Sequence, residues 1–142
     1  MREIKFRAWD KKNNFMITQD DKQLKSLDLA SGYIYVGHYK GENDRFIRFT
    51  EIELMQFTGA RDTNCREIYE GEIVVFNDNR YGATGGRHSD KIRAGVVKFD
   101  EGSWIVESGD YSEYLYQIIA NDDEVEVIGN VFENKELLEE SA

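Results

Sequence analysis

The apolar residues of this chain fall into short runs parted by turn-forming residues, and that spacing favours strands over helices almost throughout. The pattern is clearest from Leu54 to Phe76, LMQFTGARDTNCREIYEGEIVVF. Leu54-Met55-Gln56-Phe57 reads as a strand ending at Gly59. Ala60 to Cys65 is polar and holds Asp62 and Asn64, whose side chains bond to their own backbone in turns. Ile68 and Tyr69 resume the apolar pattern, Gly71 breaks it, and Glu72-Ile73-Val74-Val75-Phe76 is β-branched and aromatic, hence a strand. No nucleophile, base or metal ligand stands out in this stretch, which reads as a structural hairpin and corner.

The rest of the chain repeats the theme. Ile4 to Trp9 alternates, Lys11-Lys12-Asn13-Asn14 is a turn, and Phe15-Met16-Ile17 returns, so residues 3–17 are expected to form a hairpin. Tyr33 to Val36, Phe46 to Phe49, Ile52 to Phe57 and Ala94 to Phe99 read as strands. Asp100-Glu101-Gly102 carries the signal of a three-residue hairpin leading into Ser103 to Glu107, with Phe99 and Trp104 expected in the core on either side. Leu115 to Ile119 and Val125 to Val131 are counted with the strands, and strands at this spacing suggest a small barrel. Leu24 and Leu27 are spaced for a single helical turn. Asn134 is placed to cap a short helix from Lys135 to Glu140, whose glutamates oppose the helix dipole at its end.

Three pieces of the sequence carry a resemblance. They are REIKFRAWD with the Phe15-Met16 that follows, the Leu54–Phe76 stretch, and EVEVIGNVFENKELL near the end. In that order they resemble the YopX family of phage and prophage proteins. The chain departs from the family's usual residues at Cys65, where Gly is common, at Glu72 for Asp, and at Lys135 for Pro. The resemblance implies an SH3-type barrel in the C-terminal half and a phage origin; it implies no established activity. The expected organisation is a mainly β chain, with an N-terminal β region at 1–59, an SH3-like barrel at 60–133, and a short C-terminal helix and tail at 134–142.

Composition narrows the function classes. The 8 Tyr, 8 Phe and 2 Trp suffice for a core in a chain of 142 residues, and there is no Pro to build a rigid linker. No apolar run reaches the roughly 18 residues a membrane-spanning helix needs. The first residues lack a signal peptide's apolar segment, and the lone Cys65 has no internal disulfide partner. The expectation is a cytoplasmic protein of a bacterial host. The net charge of −10 is uneven: from Asp100 onward 13 acids face one base, whereas residues 1–99 hold 17 bases and 15 acids. Such acidity serves solubility, or faces a basic partner.

Catalytic groups are scarce. The two histidines, His38 and His88, lie in expected loops, and Cys65 has arginines but no histidine near it in sequence. Asp110, Asp122, Asp123 and Glu124 do not match a calcium-loop spacing, and no cofactor motif is present. The stretch from Asn77 to Ile92 holds three glycines, little that is apolar, and basic residues. A loop of that length is commonly functional or a tolerated insertion. Arg80, Arg87, Lys91 and Arg93 are therefore the candidate binding residues. The expected function is a non-catalytic interaction module that binds a protein partner or itself. The alternative is a nucleic-acid-binding accessory protein using Lys5 and Arg7 on the first strand together with the 77–93 loop.

Overall fold

The computed structural model describes residues 3–19, 23–38, 43–78, 91–109, 111–121 and 124–140, the side chains of Asp78, Lys91, Glu139 and Glu140 excepted. The chain is mainly β and divides into two compact units, Met1–Phe57 and Thr58–Ala142.

In the first unit, β1 (Phe6–Asp10) pairs antiparallel with β2 (Phe15–Ile17) and with the start of β6 (Ile52–Arg61). The β1–β2 turn is held by Asp10. Its carboxylate is buried and accepts the backbone N–H groups of Lys12 and Asn13 at 3.0 and 3.1 Å, leaving Asn14 at φ +51°. A second sheet, in order β3 (Leu24–Asp28), β4 (Tyr33–Val36) and β5 (Arg45–Arg48), is antiparallel throughout. The core of this unit is Ala8, Ile17, Leu24, Ile34, Val36, Ile47 and Ile52. The helical turn expected at Leu24 and Leu27 is instead strand β3. Leu24 is buried and Leu27 packs half-buried against the same core, because a bulge at Lys25 shifts the register between them.

Strand β6 does not stop at Gly59 but runs on to Arg61. Gly59 takes φ +89°, and the Thr58 hydroxyl accepts the Ala60 N–H at 3.1 Å while donating to the Ile68 carbonyl at 2.8 Å. This stitch carries the strand past the glycine into its pairing with β7 (Glu67–Tyr69).

The second unit is built on a five-stranded antiparallel sheet that curls into a half-barrel. Its order is β11 (Tyr111–Tyr114), β10 (Ser103–Ser108), β9 (Lys91–Asp100), β8 (Glu72–Asp78) and β12 (Glu126–Asn130). Ile68, Val74, Phe76, Val97, Val106, Val125 and Val127 fill its core, with Leu115 and Ile118 of helix α1 (Leu115–Asn121). The run at Leu115 is thus a helix, not a strand. Leu115 and Ile118 stand three apart on one face, the spacing that buries one side of a helix.

Three further expectations change. Asp100 and Ser103 are paired, so the β9–β10 turn has two residues, Glu101 and Gly102, with φ +49° and +81°. Positive φ at both central positions is the mirror-image turn whose twist matches the flanking strands. Phe99 is 55% exposed rather than core. It lies at the strand end beyond Val97, edge-on to the half-buried Trp104 with ring centroids 5.0 Å apart. The helix expected from Lys135 is α2 (Glu136–Glu140), and Asn134 before it accepts the Leu137 N–H on its backbone carbonyl at 3.0 Å. Its Oδ1 turns back to accept the Asn130 N–H at 3.2 Å, in space left by Gly129, where a Cβ would collide with it.

Candidate functional site

Of the four candidate binding residues, Arg80, Arg87, Lys91 and Arg93, the structure describes the side chain of Arg93. Arg80 and Arg87 lie outside the described residues, as does the side chain of Lys91. Arg93 sits on β9 opposite Phe76, its guanidinium 4.6 Å from the Tyr111 ring centroid. Lys5 pairs with Glu3 at 3.2 Å and lies 6.0 Å from the Phe57 ring, and Arg7 is half-buried. His38 is exposed at φ +48°, and its backbone N–H donates to Asp44 at 3.0 Å.

The Leu54–Phe76 stretch is a structural corner. Asp62 is buried, and its carboxylate accepts the N–H groups of Asn64 and Arg66 at 2.9 Å and of Val127 at 3.0 Å. Thr63 and Val125 exchange two more bonds, each 2.8 Å, so the turn is riveted to the segment leading into β12. Glu72, also buried, accepts the Tyr69 N–H at 2.7 Å and pairs with Arg66 at 3.6 Å. A carboxylate surrounded by backbone donors is satisfied and fixed. Cys65 is exposed at φ +65°, in the left-handed region that glycine adopts freely.

A different place has the character of a binding surface: the outer face of the β3–β4–β5 sheet. Along β4 the aliphatic residues Ile34 and Val36 point into the core, so Tyr33 and Tyr35 point out. Register places Phe46 opposite Tyr35 and Arg48 opposite Tyr33 on that outer face. Phe46 is 70% exposed, and its ring centroid is 4.8 Å from that of Tyr35. The Arg48 guanidinium lies 5.9 Å from the Tyr33 centroid, and Lys25 Nζ lies 5.6 Å from that of Tyr35. Lys25 reaches this position because Gly37 leaves its path open; a Cβ there would collide with the lysine side chain.

Asp44 fixes one end of the face. It accepts the Tyr35 hydroxyl, the His38 N–H and, at 3.4 Å, Lys25 Nζ. These donors, led by the Tyr35 hydroxyl, lower its carboxyl from 3.8 to about 2, and the same bond raises the Tyr35 phenol. A tyrosine so raised is held as a neutral donor, the reverse of an activated nucleophile or base. From Tyr35 toward the β3–β4 turn lies a groove of about 410 Å3 lined by Ser26, Asp28, Ser31, Tyr33, Ile34, Tyr35 and Phe46. Among the described residues, Asp28 is the one charged side chain that lines it. Its Oδ1 accepts the Ser31 N–H at 3.0 Å, and bonds from Ser31 lower its pKa, so it stays ionised.

This face escaped the sequence reading, although a signal for it exists. The alternation Tyr-Ile-Tyr-Val puts both tyrosines on one side, but only the register with Phe46 shows that the side is solvated.

Among the described residues no group of His, Cys, Asp or Glu could hold a metal ion, and no helix is long and apolar enough to cross a membrane. No curated protein matches the chain. Two solved structures resemble it along nearly its whole length. One is the protein EF1440 from Enterococcus faecalis, with 24% identity, a TM-score of 0.63, and 97% of this chain and 99% of that one covered. The other is the protein yopX from Bacillus subtilis, with 22% identity, a TM-score of 0.61, and 97% of each chain covered. At these identities the likeness speaks for the fold. The model of the YopX protein family matches residues 5–139, from the first strand to the last helix, and the chain belongs to the YopX family.

Proposed function

We propose that the chain is a non-catalytic binding module that takes a protein partner on the outer face of its β3–β4–β5 sheet. The observation that supports this reading is Phe46, 70% exposed beside Tyr33 and Tyr35 on a sheet face with a groove alongside. A ring held in water forgoes about 25 cal/mol for each Å2 that a partner would cover. Aromatic residues with a polar tip, such as these tyrosines, are enriched in protein interfaces. The resemblance to YopX proteins supports a phage or prophage origin and, with it, the cytoplasm of a bacterial host as the place of action.

The test is affinity capture from host lysate with the wild-type chain and with Phe46→Ala, alongside a benzoylphenylalanine crosslinker at position 33. Removing a central aromatic contact commonly costs about 2 kcal/mol of binding. The expected result is one protein crosslinked at position 33 and depleted at least tenfold by Phe46→Ala, with circular dichroism unchanged. Equal recovery by both chains overturns the reading.

A further inference from the structure

We infer that the occupant of this face is an extended, proline-rich segment of the partner carrying a basic residue. This rests on the reading above and names the class of partner.

The groove decides between the candidate occupants. Its lining is three aromatic rings, two serines and one carboxylate, together with Ile34, whose side chain points into the core. Polyproline segments dock on aromatic-lined grooves because they are already extended and lose little entropy on binding. Tyr33 and Tyr35, two residues apart on one strand, stand about 7 Å apart on the same face. Phe46 extends the Tyr35 ridge across the next strand, since the two rings are in contact. The result is a ridge and a gap beside it, floored by apolar surface and edged by Ser31, whose hydroxyl bonds Asp28, and by the Ser26 hydroxyl, which can bond a carbonyl that such a segment leaves unpaired.

Charge complementarity makes the second argument. Asp28 is ionised and lines the groove, while the neighbouring cations are engaged with the protein itself: Lys25 with Asp44 and Tyr35, Arg48 over Tyr33. A strand of nucleic acid draws most of its affinity from cations that meet phosphates. Here it would bring phosphates to the Asp28 carboxylate. A lysine or arginine beside the prolines meets Asp28 favourably. A second copy cannot supply the segment, because the chain contains no proline.

The experiment is an array of twelve-residue peptides with two prolines spaced three apart and an arginine at each position before and after them. Pro→Ala, Arg→Glu and scrambled controls accompany it, and each peptide is titrated by fluorescence anisotropy against the full chain. A set of arginine-bearing peptides is expected to bind at least tenfold more tightly than its Pro→Ala controls. Phe46→Ala or Tyr33→Ala should weaken that set about tenfold. Asp28→Asn keeps the oxygen that accepts the Ser31 N–H and removes the charge. It should weaken the arginine-bearing peptides several-fold more than the neutral proline peptides, a difference that fades with added salt.

The proposal is overturned if no array peptide exceeds its Pro→Ala control, or if binding ignores Phe46 and Tyr33. It also falls if fluorescent oligothymidine binds in their place in a Phe46-dependent way, or if sedimentation shows Phe46-dependent self-association instead. A protein captured and lost with Phe46→Ala, together with a silent array, would leave the binding face standing and remove the proline-rich partner.

Discussion

Cys65 stands at φ +65°, where a side chain carrying a Cβ costs about 1–2 kcal/mol and glycine costs nothing. Part of any gain from Cys65→Gly is returned as extra freedom of the unfolded chain, about 0.4–1 kcal/mol. The expected outcome in urea denaturation is a stability order of Gly, then Cys, then Val at position 65, spread over about 1–2 kcal/mol. A valine variant as stable as the glycine variant would contradict the left-handed backbone. Asp44 gives a second prediction at this scale. Its carboxyl is held at about 2 by the Tyr35 hydroxyl first and the His38 N–H next. A depressed carboxyl stabilises the fold fully above its ordinary value of 3.8, and the contribution disappears as pH falls through about 2. The Asp44 carboxyl carbon followed by NMR should titrate near 2, and Tyr35→Phe should move the midpoint upward. An unchanged midpoint would mean that the phenol bond does not set it. At this scale the sequence was partly legible. That Asp62 bonds its own turn follows from the residue type, but its bond to Val127, 65 residues away, has no local signature.

Among the elements, the strands with β-branched and alternating residues were readable and the short apolar runs were not. Leu115 to Ile119 has the length of either a strand or a helical turn, and periodicity cannot separate them over so few residues. What decides is that Tyr111 to Tyr114 already occupies the sheet edge, so that Leu115 and Ile118 reach the core from a helix. The outer face of β4 went unread for a related reason: alternation gives two faces, and only register with β5 says which residues share the exposed one. The β8–β9 connection yields the prediction proper to this scale. Asp78 and Lys91 are paired, so the ladder closes at the point where the loop begins. Replacing Asn79–Asp90 with Asn-Gly should therefore preserve the fold. Closing two residues instead of twelve lowers the closure cost by about 1.5 kcal/mol. Denaturation should show equal or greater stability. A loss above about 1 kcal/mol would assign the segment a structural role, and loss of one captured partner with the fold intact would place its contact in the replaced segment, where Arg80→Ala and Arg87→Ala should then each weaken it.

For the molecule as a whole, the division into units redraws the charge map. Met1–Phe57 holds 10 bases and 9 acids, a net +1, whereas Thr58–Ala142 holds 8 bases and 19 acids, a net −11. Like charges confined to one small unit repel one another, and the repulsion is relieved by salt, with a Debye length falling from about 30 Å at 0.01 M to about 10 Å at 0.1 M. The second unit should thus gain stability with added salt while the first, nearly neutral, gains little. The chain supplies its own reporters, since one of its 2 tryptophans lies in each unit: Trp9, buried in the first, and Trp104, packed against the core of the second. Thermal melts of Trp104→Phe and Trp9→Phe, followed by fluorescence of the remaining indole, read the units separately. A gain of about 1 kcal/mol shifts the midpoint of a domain this small by roughly 4–8 °C. Between 0.01 and 0.2 M sodium chloride the Trp104 signal should move up by several degrees and the Trp9 signal by much less. Coincident shifts from both reporters would mean that the two units melt as one cooperative body, so that the acidity of the second is borne by the whole chain.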